Sequence, residues 1–399
     1  MKQLKKLTTG MMVTSIFFSG CSVLDSKTKD KTTVINDAES FEGTIHIVAE
    51  ENIANSEWLA DSLEAFDKLH SKWNVSFDVQ SGEYTSITDT NTTESLTEDT
   101  AVTDLYIYDS TVVSYLASRG FIAEIGGDTL EMIEEDPVPV VNAVTYNNGV
   151  YAVPYSAETL VLYYDTSIYE ADDVKKLATL LKNGNVGIDL NNPDIVSSFY
   201  LVNGMNFSTE VATPITEYLL TLVKNKNFVE SNDVSKLGNG LDAIISTSDQ
   251  YEAAHDALGD KNLGVAVLPT FKVNDDDKQM KSFLDERAVC INPNSENIKV
   301  AVTLANYLGS AEVSKDLYKN YGIIGANGTV EIEDDLFLAT MLNALSTSSI
   351  SRPSVSSSFK NYYSAFESMG QQLLSGSVTV ENEIEKTNEM NANMVAAVE

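Results

Sequence analysis

The hydrophobic pattern changes most clearly along residues 142–169. Two β-branched and aromatic runs, AVTY and VYAVPY, flank an Asn-Asn-Gly turn at residues 147–149, and this pattern predicts a hairpin. The next run, residues 159–164, has no polar face, which predicts a strand buried on both sides. Glu158 alone interrupts this apolar stretch. Because an unpaired buried charge is costly, its carboxylate is expected to meet a ligand, a partner or water in a cleft.

The chain before this stretch alternates strand and helix patterns. Residues 44–49 alternate as a strand, Ser56 caps a helical pattern that ends at Leu69, and residues 73–79 form the next strand pattern. Residues 103–108 read as a buried strand, with Asp109 following it. This order predicts the α/β fold class with an open sheet.

Ligands in such sheets bind beyond the carboxyl ends of the strands. Glu50 and Asn52 occupy that place after the first strand, in a predicted polar loop over residues 50–55. We therefore take both as candidate ligand-binding residues. A loop that is merely solvated explains the same residues equally well.

The remaining chain continues the mixed pattern. Helices are predicted at residues 112–119, 172–182, 197–202, 215–225, 296–308, 311–321, 334–344 and 359–374, and strands at 186–190, 243–247, 263–269 and 287–292. A chain of 399 residues is too long for one ordinary core, so we expect two domains.

Charge and cysteine content exclude several classes of function. The formal net charge is −33, which argues against nucleic acid or an anionic lipid surface as a partner. Neither phosphate-loop pattern, GxGxxG nor GxxxxGK[ST], occurs. Two cysteines give no disulfide framework, and three scattered histidines lack ligand spacing. We expect no cofactor and no metal.

The first 20 residues read as a targeting segment. Three lysines precede a short apolar run at residues 11–18, which is well below the length of a membrane span. The run ends in Phe-Ser-Gly-Cys, which resembles the bacterial lipobox and implies diacylation of Cys21. Ordinary secretion with a leftover cysteine is the alternative. Residues 21–40 are polar and read as a flexible tether.

Four ordered segments resemble ABC-transporter extracellular solute-binding proteins of the maltose/maltodextrin-binding type, known as family 1. They are the stretch at 142–169 with its Y-x-V-P, NLGVAVLPTFK at 262–272, CINPN at 290–294 with the following helix and GIIGA at 322–326, and residues 359–376 with VTVENEIEK after them. Together they span roughly residues 43–395, and their order makes the resemblance specific.

The resemblance implies a two-lobed, periplasmic-binding-protein-like (type II) fold with a ligand cleft between the lobes. The implied N-terminal lobe is 41–157 plus 289–334, and the C-terminal lobe is 158–288 plus 335–399. The implied crossovers lie near 158–160, 284–288 and 335–340.

The same resemblance implies a monomeric, non-enzymatic substrate-binding protein. It would be held by its lipid on the extracytoplasmic face of a cell membrane, of the Gram-positive type. There it would capture an oligosaccharide such as a maltodextrin and deliver it to the transmembrane subunits of an ABC permease.

The resemblance also implies site residues at matching positions. Glu158 matches a sugar-contacting carboxylate, and its alternative is a structural hinge group. The further matches are Tyr108, Tyr362 or Tyr363, and Gln250 or Tyr251 at three stacking-tryptophan positions, with Asn192 and Asp194 at two polar ones. Thr111 and Val112 stand where the family has Asp and Arg. These departures, with the absence of tryptophan at all three stacking positions, favour sugar binding in general over maltodextrin itself.

Other functions stay open at this point. The same architecture could bind a polyamine, a metal or a peptide, and the acidic composition is compatible with a cation. A glycoside hydrolase needs two carboxylates across a cleft, and no pair stands out. Tyr163 and Tyr164 could bind ferric iron, but their apolar surroundings favour a buried strand.

Overall fold

The structure is a computed structural model that describes residues 40–87, 102–331, 335–357 and 361–395. The predicted signal peptide, the predicted lipidation residue Cys21 and nearly all of the predicted tether lie outside the described residues. Within the described part of the chain, no helix is both long enough and apolar enough to cross a membrane.

Strands are numbered here in chain order. They are β1 (Glu42–Ala49), β2 (Asn74–Ser81), β3 (Leu105–Asp109), β4 (Thr145–Tyr146), β5 (Gly149–Val150), β6 (Val153–Glu158), β7 (Leu160–Asp165), β8 (Val186–Gly187), β9 (Phe228–Val229), β10 (Ala243–Thr247), β11 (Leu263–Ala266), β12 (Thr270–Val273), β13 (Asp276–Gln279), β14 (Ser282–Phe283), β15 (Asp285–Ile291) and β16 (Ser349–Ile350).

Helices are numbered in the same way. They are α1 (Glu51–Ala54), α2 (Glu57–Leu69), α3 (Val113–Ser118), α4 (Asp128–Ile133), α5 (Val138–Ala143), α6 (Leu177–Asn183), α7 (Pro193–Tyr200), α8 (Thr209–Leu222), α9 (Tyr251–Leu258), α10 (Ile298–Leu308), α11 (Ala311–Tyr321), α12 (Leu336–Thr347), α13 (Tyr362–Leu374) and α14 (Glu383–Val395).

Two five-stranded mixed sheets define two lobes. The first lobe has the strand order β2-β1-β3-β15-β6, and the second has β11-β7-β10-β8-β9. Strand β15 runs antiparallel to both β3 and β6, and β7 runs antiparallel to β10 and β11. A single residue, Thr159, separates β6 from β7, so the chain passes between the sheets there. The predicted α/β class is confirmed.

Each lobe has its own hydrophobic core, and a third cluster lies between them. The first core includes Ile47, Phe66 and Ile107, whereas the second includes Leu162 and Phe199. The third cluster joins residues of both lobes and of α12, among them Ala157, Val161, Tyr163, Ile324 and Met341. The two lobes are therefore in apolar contact at β6 and β7.

The apolar stretch around the crossing folds largely as its pattern predicts. Asn147 and Asn148 adopt positive φ values of 47° and 66°, and β4 pairs with β5 around them. Strand β7 is buried along its whole length. The hydroxyl group of Tyr163 donates to the carbonyls of Thr247 and Ser248 at 3.0 and 3.1 Å, so its polar end is satisfied within the buried strand.

Two local predictions were wrong. The polar loop at residues 50–55 contains the short helix α1, because Ile53 is buried and its N–H bonds to the carbonyl of Glu50 at 3.0 Å. The first hairpin strand was predicted too long, because α5 follows Pro137 and includes Ala143. Proline favours the first turn of a helix, where its missing N–H costs nothing.

Helix α7 begins four residues earlier than predicted. Pro193 occupies its first turn, and the Asn192 side chain caps it by accepting from the Asp194 N–H at 2.9 Å. Helix α13 packs directly across α7. A Cβ added to Gly370 of α13 would lie 1.8 Å from the carbonyl oxygen of Leu190, so only glycine allows this approach.

We expect Gly370→Ala to destabilise the protein by about 2–3 kcal/mol, because the added methyl group meets backbone and not a movable side chain. Helix propensity alone would change stability by about 1 kcal/mol in the opposite direction. Chemical denaturation measures the difference. Ser364→Ala, on the exposed face of the same helix, is the matched control and should change stability by less than about 0.5 kcal/mol. A stabilised Gly370→Ala variant would contradict the close packing.

Candidate functional site

Glu158 lies where two cavities meet between the lobes. A cavity of about 170 Å³ is bounded on the first-lobe side by Asn52, Trp58 and Arg287. A larger cavity of about 570 Å³ continues beyond Glu158. Both cavities are lined by Glu158 and Ile323, so they form one continuous cleft.

Strand register gathers the charged side chains of the smaller cavity. Arg287 of β15 pairs with Asp109 of β3 on one side and with Ser156 of β6 on the other. Asp285, two residues before Arg287 and therefore on the same face, pairs with Glu158. The ladder thus places two carboxylates and a guanidinium beside Glu158.

Arg287 organises this cluster. Its Nη1 bonds to Asp109 Oδ2 at 2.9 Å and also to Asp285, and its Nε lies 3.5 Å from Glu50 Oε2. Burial alone would raise the pKa of Asp285, but the guanidinium groups of Arg287 and Arg352 hold it below its usual value. The cluster is therefore an ion-paired network of one guanidinium and three carboxylates at the floor of the cleft.

The predicted residues Glu50 and Asn52 both reach this cluster. Glu50 precedes α1, and its Oε1 accepts from the Asp109 N–H at 2.9 Å. Asn52 is exposed and lines the cavity. Beside it, Trp58 and Tyr155 pack ring to ring with centroids 4.8 Å apart, which adds an aromatic wall.

Glu158 has an unusual electrostatic environment. Burial raises the pKa of Glu158 to about 7, and Asp249 and Asp285 add to this, whereas Arg287 and Arg352 oppose it. The described residues provide neither a hydrogen bond nor an ion pair to its carboxylate. Such a group is available to a ligand that enters the cleft.

A second charged group lies around Arg352. Its Nη2 lies 3.3 Å from Asp194 Oδ2, at the start of α7. The Tyr362 ring packs edge-on against Phe283 with centroids 5.1 Å apart, and burial raises the pKa of Tyr362 to about 12, which the nearby Arg352 partly opposes. Tyr363, next along α13, is 47% exposed. This group combines a guanidinium, a carboxylate and open aromatic surface.

The segment that carries Arg352 touches both lobes. Strand β16, just before it, pairs with β14 of the second-lobe side, and the Arg352–Asp194 ion pair also faces that lobe. Three residues later the Val355 N–H donates to the Thr111 carbonyl of the first lobe at 3.0 Å. The short segment that carries Arg352 therefore contacts both lobes.

Tyr251, one of the predicted ligand-binding residues, lines the larger cavity. Its ring stacks on Phe337 with centroids 4.0 Å apart and an interplanar angle of 21°. Gln250 lies beside the cavity and donates to Asp249 at 3.2 Å. Asp249 itself lines the cavity, together with Tyr318 and Tyr321 of α11.

Tyr108 is the candidate that the structure separates from the others. Its side chain is only 1% exposed within β3, and its hydroxyl donates to the Gly82 carbonyl at 2.9 Å. Neither ring face is open in this arrangement. Asn192, by contrast, lies next to the Arg352 group, where its side chain caps α7.

Sequence reasoning missed the two arginines and Asp285. A usable signal existed, because the whole sequence contains only three arginines, and two of them, Arg287 and Arg352, pair with carboxylates among the predicted site residues and their neighbours. A scarce basic residue type at isolated positions in an acidic chain is a candidate charge partner. Among the described residues, no group of three or more His, Cys, Asp and Glu side chains is placed to hold a metal ion.

Comparisons with known proteins concern the family and the fold of the chain. A family model described as bacterial extracellular solute-binding protein matches residues 62–337. No curated protein sequence matches the chain.

Solved structures share the fold. A protein solved with acarbose superposes with a TM-score of 0.69 at 29% identity, covering 89% of this chain and 99% of that one. The maltodextrin-binding protein MalE1 from L. casei BL23, without ligand, gives 0.72 at 18% identity, covering 89% and 100%. The extracellular solute-binding protein from Staphylococcus aureus in complex with maltose gives 0.68 at 13% identity, covering 88% and 96%. The predicted two-lobed fold is confirmed.

The raised pKa of Glu158 predicts a pH dependence of stability. A carboxyl group whose pKa rises on folding stabilises the protein below its unfolded pKa, and this contribution is lost as pH rises through the folded value. Asp136, with a pKa raised by burial to about 7, acts in the same direction. The free energy of unfolding should therefore fall between about pH 5 and pH 8.

Glu158→Gln should reduce the slope of the unfolding free energy against pH and stabilise the protein at pH 8 by about 1–2 kcal/mol. This is less than the full pKa shift of Glu158 would give, because the group is partly solvated. Denaturation at several pH values measures this. Glu170→Gln, at an exposed position, is the control and should leave the slope unchanged. An unchanged slope in Glu158→Gln would contradict the proposed environment of Glu158.

Proposed function

Because the chain belongs to the family of bacterial extracellular solute-binding proteins, we propose that it is the substrate-binding protein of an ABC importer for an oligosaccharide. The ligand lies between the two lobes, and Glu158 is its central contact. The observation that carries this proposal is the position of Glu158, an unpaired carboxylate at the crossing between lobes and at the meeting point of two cavities.

The cleft offers the groups that a sugar needs. Sugar hydroxyls bind carboxylates, amides and guanidinium groups, whereas the C–H faces of the ring pack on aromatic side chains. Glu158, Asn52 and Arg287 supply the polar contacts. Trp58 lines the same cavity, and Tyr363 offers exposed aromatic surface near Arg352.

Binding is coupled to closure of the lobes. A ligand that contacts both lobes stabilises the arrangement in which both sets of contacts are made, so it shifts the population towards a closed state. Glu158 and Asp249 line the same cavity; Glu158 ends β6 of the first sheet, and Asp249 lies in the turn after β10 of the second sheet. No covalent step is part of the proposed function.

The solved relatives suggest which sugar to try first. One of them is described with acarbose and another with maltose. We therefore propose a glucose-based oligosaccharide as the first ligand class. The family carries tryptophan at the three predicted stacking positions and this chain does not, so galactan and mannan oligosaccharides are tested beside the glucans.

The cellular setting is part of the proposal. Diacylation of Cys21 anchors the monomeric protein to the outer face of a Gram-positive type membrane, and residues 21–40 tether the lobes. The closed, loaded form delivers its sugar to the transmembrane subunits of the permease.

A cation is the second candidate ligand. The carboxylates of the cleft outnumber its arginines, and Asp249 and Asp285 surround Glu158 with negative charge. A polyamine would complement that charge. The two arginines already pair with Asp109, Asp285 and Asp194 and so reduce the negative charge of the cleft, which favours the neutral sugar.

Isothermal titration calorimetry should show saturable binding of at least one glucan, galactan or mannan oligosaccharide, with a Kd in the micromolar range, about −8 kcal/mol. Glu158→Gln should weaken that binding at least about tenfold, because a charged acceptor is replaced by a neutral one. Unfolding of both proteins is measured in parallel.

Glu170→Gln is the matched control and should bind as the unchanged protein does. Binding of spermidine or Zn²⁺ with no heat from any of the sugars would refute the sugar proposal. Sugar binding that is unchanged in Glu158→Gln would remove Glu158 from the site while leaving the ligand class in place.

A further inference from the structure

Glu286 is a buried acid that the proposed binding site does not use. It lies in β15 between Asp285 and Arg287, but consecutive residues of a strand point to opposite faces of the sheet, so its side chain faces away from the charge network of the cleft. It is fully buried, and no donor among the described residues bonds to either oxygen of its carboxyl group. An ionised carboxylate in such a position is costly, and the neutral acid costs much less.

The neighbours of Glu286 belong to the apolar contact between the lobes. In the strand ladder Glu286 pairs with Ala157 of β6, and Leu284 lies just before β15. Ala157 and Leu284 are both members of the third hydrophobic cluster, which also contains Ile324 and Met341 and joins residues of the two lobes. We call this cluster the inter-lobe layer. The carboxyl group of Glu286 therefore lies where the two lobes contact each other.

Two further carboxylates act on Glu286 from neighbouring elements. Asp109 ends β3, and Asp136 lies between α4 and α5, where its Oδ1 accepts from the Gly328 N–H at 3.0 Å. Burial raises the pKa of Glu286 well above its usual value, and the negative charges of Asp109 and Asp136 add to this. Arg287 gives little compensation, because it points to the other face and already pairs with carboxylates there.

We propose that Glu286 is a proton-dependent contact between the lobes. Its carboxyl group is neutral while the inter-lobe layer is packed around it, and it releases its proton to water when the layer opens. Ionised Glu286 favours the opened layer, so rising pH frees the lobes to move relative to each other. The proposal goes beyond the proposed function, because it concerns the contact between the lobes and holds for any ligand.

Proton linkage sets the size and the sign of the effect. Opening exposes the carboxyl group of Glu286 to water, where its pKa returns to the ordinary value of 4.5. A group whose pKa is higher in the packed state stabilises that state at low pH, and the stabilisation is lost as pH rises. Between the two pKa values opening releases one proton, so the equilibrium constant for opening rises about tenfold for each pH unit.

Hydrogen exchange of the unliganded protein, followed by mass spectrometry on peptides from β6 and β15, tests this linkage. Between about pH 6 and about pH 8, exchange in these peptides should accelerate about a hundredfold more in the unchanged protein than in Glu286→Gln, which has no proton to release. Comparison at equal pH cancels the intrinsic pH dependence of exchange. Peptides from β1 and β10, in the separate lobe cores, should exchange more slowly at every pH, because the opening is confined to the inter-lobe layer.

Infrared difference spectra report the proton directly. The spectrum of the unchanged protein minus that of Glu286→Gln should contain the C=O band of a neutral carboxylic acid at about pH 8. Asp136→Asn keeps an acceptor for the Gly328 N–H but removes a neighbouring negative charge, so it should lose this band at a lower pH.

A second substitution at the same position guards against misfolding. Glu286→Met places an apolar side chain of similar length in the inter-lobe layer and should unfold at a higher denaturant concentration than the unchanged protein, with a difference that grows as pH rises. Glu170→Gln, at an exposed position, is the matched control and should behave as the unchanged protein does. Where Glu286→Gln does not fold, Glu286→Met takes its place in the exchange comparison.

Three results would overturn the proposal. The first is an equal pH dependence of exchange in the unchanged protein and in the variants of Glu286. The second is exchange in β6 and β15 that is no faster than in the lobe cores, since the proton would then be released only on global unfolding. The third is the absence of the neutral-acid band. None of these measurements uses a sugar, so their failure leaves the proposed function standing.

Discussion

The cleft depends on one guanidinium group that pairs with several carboxylates at one end of the inner strands of the first sheet. Arg287 contacts Asp109 and Asp285 and lies near Glu50, and these four side chains are brought together by the order β1-β3-β15, because Glu50 directly follows β1. Removing one partner of such a network leaves an uncompensated, half-buried charge, which is costly. Strand β15 follows the second lobe in sequence but pairs within the first, so this compensation also fixes how the chain returns between lobes.

Glu158 has a different status, since no ion pair compensates it. It faces Asp249 and Asp285, and its neighbouring arginines are already engaged. Retaining an unpaired carboxylate where the chain crosses between lobes costs stability, and sites with such perturbed groups are often functional. This contrast between a satisfied cluster and an unsatisfied neighbour is the physical basis for placing the ligand at Glu158.

Much of the fold could be predicted from local pattern. Strand β10, helix α11 and the buried character of β7 follow directly from runs such as AIIST and LVLYYD, because burial and period leave few alternatives. The ends of helices and strands were harder to predict where tertiary contacts set them. Helix α1 depends on Ile53 packing into the core, and the approach of α13 to α7 depends on Gly370 meeting the Leu190 carbonyl, which no local signal reveals.

The site was only partly predictable, because it too depends on contacts between residues that are far apart in the sequence. Glu158 stands out by its polarity within an apolar run, whereas Arg287 and Arg352 acquire meaning only through strand register and the return of the chain. The prediction for Tyr108 was wrong. Its position suggested a ring that stacks on a ligand, but the structure encloses it in the core. Sequence position identifies which residues are unusual, but only long-range pairing decides which of them share one cavity.

The central claim is that ligand bound at Glu158 contacts both lobes and draws them together. Small-angle X-ray scattering of the protein with and without saturating maltotetraose, repeated with Glu158→Gln, tests it most directly. We expect the radius of gyration of the unchanged protein to fall when sugar is added. Glu158→Gln should need a higher sugar concentration for the same change. Saturation with sugar at an unchanged radius of gyration would contradict it.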